Sequence, residues 1–262
     1  MQIATRYGEI HWERTEISLS DEIINLSQQI ERDKHNPSLW LNIAQAYVKQ
    51  QLFREAVESV SLAISFDAFH AELYIKRGEF LMRLARFEEA ASDFSTALTL
   101  EPLNTAAGVN LGICSYFMAR YHVGIDTISK SLLFIHSEDS ISYQTASLWI
   151  WRLLVNLDKR DEAVAQIRQA VQKEASDQDI ENMLCKLYAD MYTVDMALAF
   201  MNNISSIESN LKVAAGIMVY LIASGMKEKA KEIYLSKVKV LDNIKVWHTL
   251  DAHLIRLAYK EL

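Results

Sequence analysis

The chain has 262 residues, half of them hydrophobic and 23% charged, with a formal net charge of −7. This composition excludes a disordered chain, and the negative charge argues against binding to nucleic acid, whose phosphates require a basic face. No apolar run approaches the ~18 residues that a membrane-spanning helix needs. Only 7 Gly and 2 Pro are present. All-β proteins use many such residues in turns, so their scarcity predicts a chain that is nearly all helix.

Residues 1–19 are predicted to form an N-terminal arm. Within "MQIATRYGEIHWE", Ile3, Thr5 and Tyr7 alternate with other residues and are followed by Ile10 and Trp12, which is typical of a strand. The stretch lacks the positive head and apolar core of a secretory signal, so we expect no such leader. Residues 1–10 resemble the start of the flagellar assembly factor FliW, and this resemblance implies a role in flagellar assembly. The alternative is that these residues are a flexible arm or one that docks on an edge.

Residues 20–36 are predicted to contain an N-terminal packing helix. Ile23, Leu26 and Ile30 fall on one helical face, and Ser20 stands where an N-cap is expected.

Three units of 34 residues follow from Pro37 without a gap, at 37–70, 71–104 and 105–138. Their matched columns are Trp40/Tyr74/Gly108, Ala44/Gly78/Gly112, Phe53/Phe87/Tyr121, Ala56/Ala90/Gly124, Val60/Phe94/Ile128 and Ala63/Ala97/Ser131. This pattern resembles the tetratricopeptide repeat (TPR), a helix–turn–helix unit. The resemblance implies an all-α fold, a right-handed TPR superhelix (α-solenoid) of about six repeats, with an N-terminal helix and a C-terminal capping helix.

Each matched column has a mechanical reason. Small residues at Ala44, Gly78 and Gly112 allow the first helix of a repeat to approach its partner closely. The aromatic rings of Phe53 and Phe87 are expected to fill the turn between the two helices. Because one helix pair cannot bury its apolar face alone, stability must come from stacking of neighbouring repeats.

The pattern weakens beyond residue 138, and we predict three degenerate repeats over 139–244. Residues 139–143 are interpreted as an insertion, and Trp151 takes the position of the small residue in the fourth repeat. Residues 245–262 are predicted to form the capping helix. An apolar stripe there is opened by Asp242 as the expected N-cap, and its members are Ile244, Trp247, Leu250, Leu254 and Leu257.

The sequence contains no motif for phosphate binding, zinc binding or a nucleophile, because GxxxxGK, GxGxxG, HExxH, GxSxG and CxxC are all absent. Cys114 and Cys185 are far apart and are interpreted as buried free thiols. We therefore predict no catalytic residue, no cofactor and no metal, and expect that the protein is not an enzyme.

The TPR resemblance implies that the first helix of each repeat lines a concave groove that binds a partner. The predicted groove residues are Asn42, Gln45, Lys76, Glu79, Arg83, Asn110, Ile113, Phe117, Trp149 and Arg152. The amides among them suit the backbone of an extended peptide, and Ile113, Phe117, Trp149 and Arg152 could form an aromatic anchor. The alternative is that Trp149 and Trp151 fill space opened by the insertion at 139–143.

We therefore expect a cytoplasmic, bacterial scaffold or adaptor that binds a peptide segment or a partner helix in its concave groove. The alternative is a chaperone or assembly factor for a bacterial secretion or flagellar system, which residues 1–10 and the acidic composition would fit. The sequence predicts a protein or peptide partner, no nucleic acid and no membrane insertion, and leaves the oligomeric state open.

Overall fold

The computed structural model describes residues 2–4, 10–12, 18–136, 138–172, 176, 178–238 and 249–260. These residues form fourteen α-helices, one π-helical turn and two short strands. The chain divides into two compact units, and the division lies between Ala119 and Arg120, inside the third predicted repeat.

The first unit contains two strands and six helices. Its elements are β1 (Gln2–Ala4), β2 (Ile10–Trp12), α1 (Asp21–Arg32), α2 (Pro37–Lys49), α3 (Phe53–Phe66), α4 (Ala71–Arg83), α5 (Phe87–Leu100) and α6 (Thr105–Phe117). The strands are antiparallel, with Ile3 opposite His11. They confirm the strand predicted around Ile3, Ile10 and Trp12, whereas Thr5 and Tyr7 lie outside the described residues.

Helix α1 covers the outer side of the first repeat. Its N-cap is Ser20, whose hydroxyl oxygen accepts a hydrogen bond from the backbone N–H of Ile23. Ile23 and Ile30 are buried in one hydrophobic cluster with Ile43 and Ala46 of α2. Because these four side chains form the interface, α1 completes the apolar face of α2, which would otherwise be exposed to water.

The small residues of the repeat lie where the helices approach each other most closely. A Cβ atom added to Gly78 of α4 would stand 2.8 Å from the ring of Phe94 on α5, closer than side-chain atoms normally pack. Ala44, Ala56 and Ala90 are fully buried. The close packing predicted from the column of small residues is therefore present at these positions.

An ion pair and an additional hydrogen bond connect three helices of the first unit. The Arg77 guanidinium on α4 donates two hydrogen bonds to the Asp93 carboxylate on α5, at 2.8 and 2.7 Å, and a third to the Ser61 hydroxyl on α3, at 3.1 Å. Asp93 is buried, and its hydrogen bonds with Arg77 raise the guanidinium pKa above its ordinary value. Removal of one partner would leave the other as an uncompensated charge in a partly buried site, which would destabilise the packing of these helices.

The described residues of the second unit form helices. They are α7 (Tyr121–Leu132), α8 (Ser140–Val155), α9 (Arg160–Val171), α10 (Ile180–Tyr188), α11 (Val194–Asn202), α12 (Ile207–Ala223), α13 (Lys227–Ile233), the π-helical turn (Tyr234–Val238) and α14 (Leu250–Tyr259). Helix α14 packs on α12 and is capped by Thr249, whose hydroxyl accepts a hydrogen bond from Ala252 N–H. The predicted cap Asp242, together with Ile244 and Trp247, lies outside the described residues.

The second unit accommodates a large ring where the regular repeats have a small residue. Trp151 of α8 is fully buried, and its ring lies 4.1 Å from the ring of Tyr188 on α10. The Tyr188 hydroxyl donates a hydrogen bond to the carbonyl oxygen of Gly216 on α12. The bulky residue is thus covered by aromatic packing across successive first helices.

Six turns share one backbone feature. One residue in the turn between the first and second helix of each pair has a positive φ, between 56° and 75°. These residues are Gln51, Ala85, Ala119, Asp158, Asp190 and Gly225. Only the last is glycine, although the left-handed region costs other residues energy. The recurrence marks six helix–turn–helix segments between α2 and α13 within the described residues.

Replacement of Ala85 by glycine should stabilise the protein by about 0.5–1 kcal/mol. The substitution removes the strain of a left-handed alanine, about 1–2 kcal/mol, and part of this gain is lost to the greater entropy of the unfolded chain. Chemical denaturation measures the change. The matched control is Ala165→Gly in the exposed middle of α9, which should destabilise by about 1 kcal/mol. A loss of stability in Ala85→Gly would contradict the explanation.

Candidate functional site

The candidate site is on the first helices of the first unit. Because the repeat is 34 residues long, positions 42, 76 and 110 are equivalent, as are 45, 79 and 113, and 49, 83 and 117. We call these nine positions on α2, α4 and α6 the first-helix face. Within each helix the three positions are spaced i, i+3 and i+7, so they lie on one side.

On α2 the first-helix face is polar and open to solvent. Asn42, Gln45 and Lys49 are all exposed. Lys49 forms an ion pair with Glu22 of α1, with 2.7 Å between its ammonium nitrogen and the carboxylate. No hydrogen bond joins the side-chain amide of Asn42 or Gln45 to another residue among those that the structure describes. Each amide is therefore available to donate and accept hydrogen bonds.

On α4 the face carries charges. The Lys76 ammonium donates a hydrogen bond of 3.0 Å to the Glu79 carboxylate, and both side chains are about one-third exposed. Arg83 is exposed, and its guanidinium carbon lies 6.0 Å from the centre of the Phe53 ring on α3. That distance is within the range of a cation–π interaction.

On α6 the face is mainly apolar. Asn110 is half-buried, Ile113 is only 4% exposed, and Phe117 is half-buried. The Phe117 ring stacks on Phe87 of α5, with ring centres 4.2 Å apart and planes within 5°. The face therefore changes from polar and exposed on α2 to apolar and more buried on α6.

Two predicted groove residues pack against the preceding repeat. Arg83 lies over Phe53 and Phe117 lies over Phe87, and the members of each pair are 30 residues apart. The sequence carried a signal for this contact, because 53 and 87 are equivalent positions and so are 83 and 117. These contacts restrain both side chains at the edge of the first-helix face.

The predicted aromatic anchor is not an accessible patch. It combined Ile113 and Phe117 of the first unit with Trp149 and Arg152 of the second. Trp149 and Arg152 are only 3% and 4% exposed, and the Arg152 guanidinium lies 4.5 Å from the centre of the Trp149 ring. Burial of this kind favours the alternative, in which Trp149 packs in the interior. The sequence register indicated which way the helix faces but not what covers it.

A polar network at the turns of the second unit was missed from the sequence. Arg160 donates hydrogen bonds to Ser224, at 3.0 Å, and to the Asp190 carboxylate, at 3.1 Å. The Tyr220 hydroxyl also donates to Asp190, at 2.8 Å, and burial followed by this hydrogen bond raises the Tyr220 pKa. The partners are 30 to 64 residues apart, so no local pattern predicts them.

The described residues offer no obvious reactive centre. Cys114 and Cys185 are buried free thiols, and burial raises both thiol pKa values, that of Cys114 to about 12. Within the described ranges, no group of three or more His, Cys, Asp or Glu residues could hold a metal ion. No helix within those ranges is long and apolar enough to cross a membrane.

Both native thiols should react very slowly with a disulfide reagent at pH 8, because they are buried and protonated while the thiolate is the reactive form. Full reaction is expected in denaturant, and absorbance of the released thiolate measures both rates. Rapid modification of the folded protein would show that one of the cysteines is accessible.

Replacement of Trp149 by alanine should destabilise the protein by about 3–5 kcal/mol, because it removes a buried ring and leaves a cavity. Thermal denaturation measures the loss. Ile141→Ala, at an exposed position of the same helix, is the control and should change stability far less. A melting temperature within a few degrees of the parent protein for Trp149→Ala would mean that the ring is accessible.

The family-model match to known proteins falls on the repeats. The tetratricopeptide repeat family model matches residues 37–70 and 71–102. The peptidyl-prolyl cis-trans isomerase FKBP4 of Homo sapiens is 32% identical over 111 residues, which are 42% of this chain and 23% of that protein. RNA polymerase II-associated protein 3 of Homo sapiens is 33% identical over 88 residues, covering 33% of this chain and 13% of that protein. The matches thus span less than a quarter of these relatives' length.

Solved structures agree in fold. A crystal structure of MamA is 21% identical with a TM-score of 0.54, covering 58% of this chain and 85% of MamA. PilF of Pseudomonas aeruginosa is 18% identical with a TM-score of 0.53, covering 80% of this chain and 87% of PilF. Nothing in these comparisons supports the resemblance of residues 1–10 to FliW. The chain carries tetratricopeptide repeats, and its fold is the all-α fold of TPR solenoids.

Proposed function

We propose that this protein is a non-enzymatic scaffold or adaptor, and that its first-helix face binds an extended peptide segment of a partner protein. The observation that carries the proposal is the pair of exposed amides on α2, Asn42 and Gln45, which make no hydrogen bond to other described residues. The equivalent positions on the next two helices, Lys76 and Asn110, are also polar and half-buried. TPR folds support protein–protein interaction in general, and these side chains indicate the kind of ligand.

An extended peptide matches this surface better than a helix does. Its backbone N–H and C=O groups are unpaired, and a carboxamide can accept from the first and donate to the second. A partner helix satisfies its own backbone internally and would leave the amides without partners. The ion pair between Lys76 and Glu79 is partly exposed and therefore worth little, so a charged ligand side chain could replace either partner at low cost.

We also propose that the protein acts in the cytoplasm. Both cysteines are free and buried, which fits a compartment that keeps thiols reduced. The alternative role, a chaperone or assembly factor for a secretion or flagellar system, predicts a set of related partners rather than one, and no described contact favours it.

The proposal is tested by selecting binders to the full chain from a phage-displayed random-peptide library and measuring their affinity by calorimetry. The double substitution Asn42→Ala/Gln45→Ala should weaken selected peptides about tenfold, since two hydrogen bonds of about 1 kcal/mol each are partly replaced by water. The control is Glu58→Ala/Ser65→Ala on the exposed side of α3, which should leave affinity unchanged.

Failure to select any peptide, or equal binding by the parent and the Asn42/Gln45 variant, would contradict the proposed site. Unchanged melting temperatures for both variants are required, because the amides lie on the surface and contribute little to the core.

A further inference from the structure

Three polar atoms on one side of helix α8 are buried without a hydrogen bond to any residue that the structure describes. They are Gln144 Oε1, Ser147 Oγ and Trp151 Nε1, and all three residues are fully buried. Their spacing is i, i+3 and i+7, which places them on the same helix face. Native proteins pair nearly all such atoms with another protein group or with ordered water, so this face requires an explanation.

The Ser147 hydroxyl differs from those of the other buried serines in the described part of the chain. A serine within a helix can donate to the backbone carbonyl four residues earlier and so satisfy its own hydroxyl. The other three buried serines make this bond, at 2.8, 2.9 and 3.1 Å, and they are Ser59, Ser115 and Ser131. Ser147 does not, so the hydrogen-bonding capacity of its hydroxyl is left for a different group.

The Gln144 side chain needs a hydrogen-bond donor that the neighbouring helices do not supply. Its amide nitrogen donates to the Ala170 backbone carbonyl, at 3.4 Å, and to the side-chain oxygen of Asn182 on α10, at 3.5 Å. The opposite orientation of the amide would set its oxygen against these two oxygens, so the orientation is fixed. Gln144 Oε1 is therefore a buried acceptor that faces no described donor.

The Trp151 ring explains why α8 and α10 leave room beside it. Trp151 stands where the regular repeats have a small residue, and its ring contacts the Tyr188 ring on α10. The distance between two packed helices depends on the side chains at their contact. A large ring at this contact keeps the helices apart, and the shorter Ser147 side chain on the same face makes no hydrogen bond across the interface.

Water matches the chemistry of these three atoms. The amide oxygen accepts, the indole N–H donates, and the hydroxyl does both, so the occupant must donate as well as accept. An inorganic cation or anion would satisfy only one kind of atom. Along the helix axis the three residues are separated by about 4.5 and 6 Å. One water molecule with two hydrogen bonds of about 2.8 Å bridges a similar distance.

We infer that the interface between α8 and α10 binds internal water molecules, one between Gln144 and Ser147 and one between Ser147 and Trp151. These waters supply the hydrogen bonds that the side chains of the two helices do not provide. The irregular fourth repeat thus accommodates a large ring without leaving buried polar atoms unpaired. The inference concerns the second unit and does not depend on the proposed function.

The sign of the stability change in Ser147→Ala tests the water site in the full chain. If the hydroxyl binds water, alanine removes its hydrogen bonds and leaves the waters with fewer partners, so the melting temperature should fall by a few degrees. If the hydroxyl is unpaired, alanine removes an unsatisfied buried group and the melting temperature should rise. The matched control is Ser115→Ala, whose hydroxyl bonds within its own helix. It corrects for the higher helix propensity of alanine and should change the melting temperature less.

A high-resolution crystal structure of the full chain gives a second measurement that does not depend on stability. Electron density for water should lie within about 3.2 Å of Ser147 Oγ and of Trp151 Nε1. A dry interface, with the Ser147 hydroxyl bonded to the backbone carbonyl of Tyr143, would overturn the inference. A rise in the melting temperature of Ser147→Ala relative to the Ser115→Ala control would overturn it as well, and so would density for a larger molecule between the two helices.

Discussion

The ring of Phe94 rests against the backbone of Gly78, where a Cβ atom would come within 2.8 Å. This contact sets how closely the two helices of a repeat approach, and buried alanines such as Ala56 and Ala90 do the same elsewhere. In the first unit, close approach lets α3 pack between α2 and α4, and α5 between α4 and α6. Apolar side chains fill those interfaces. The outward side of the first helices does not take part in these interfaces, so polar residues on that side do not weaken the packing of the core.

This separation between apolar interfaces and an outward polar side explains which residue types occur on the first-helix face. Asn42 and Gln45 are exposed on α2, while the adjacent face of the helix, about 100° away, supplies Ile43 and Ala46 to the cluster with α1. Side chains at the edge of the first-helix face also pack against the preceding repeat. Arg83 and Phe117 cover the rings that begin the preceding second helices, Phe53 and Phe87, so these side chains serve the stack as well as the surface.

The sequence predicted the repeat because the packing constraint recurs at every repeat, and a constraint that recurs leaves a period. It could not predict features that occur once. The Arg77–Asp93 ion pair has no counterpart in the period, since the positions equivalent to Arg77 hold Ile43 and Leu111. The repeat register gives the direction in which a side chain points from its helix, but not which other residues pack over it. For this reason Trp149, Arg152 and Ile113 were expected to line a groove, whereas the structure buries them. The amides at 42 and 45 were predicted as groove residues from the repeat register alone, and both are exposed on α2.

The residues with positive φ restrict the shapes that the turns between helices can adopt. Gln51 and Ala85 hold φ near 60° with side chains that disfavour other left-handed geometries, so each turn has few alternatives to its observed shape. A glycine would widen that choice. Turns with few alternative shapes restrict how consecutive helix pairs are oriented, and they therefore also restrict the spacing of the side chains at 42, 76 and 110. Under the proposed function, these side chains would select a ligand by the interval between its contact groups more than by the identity of any one group.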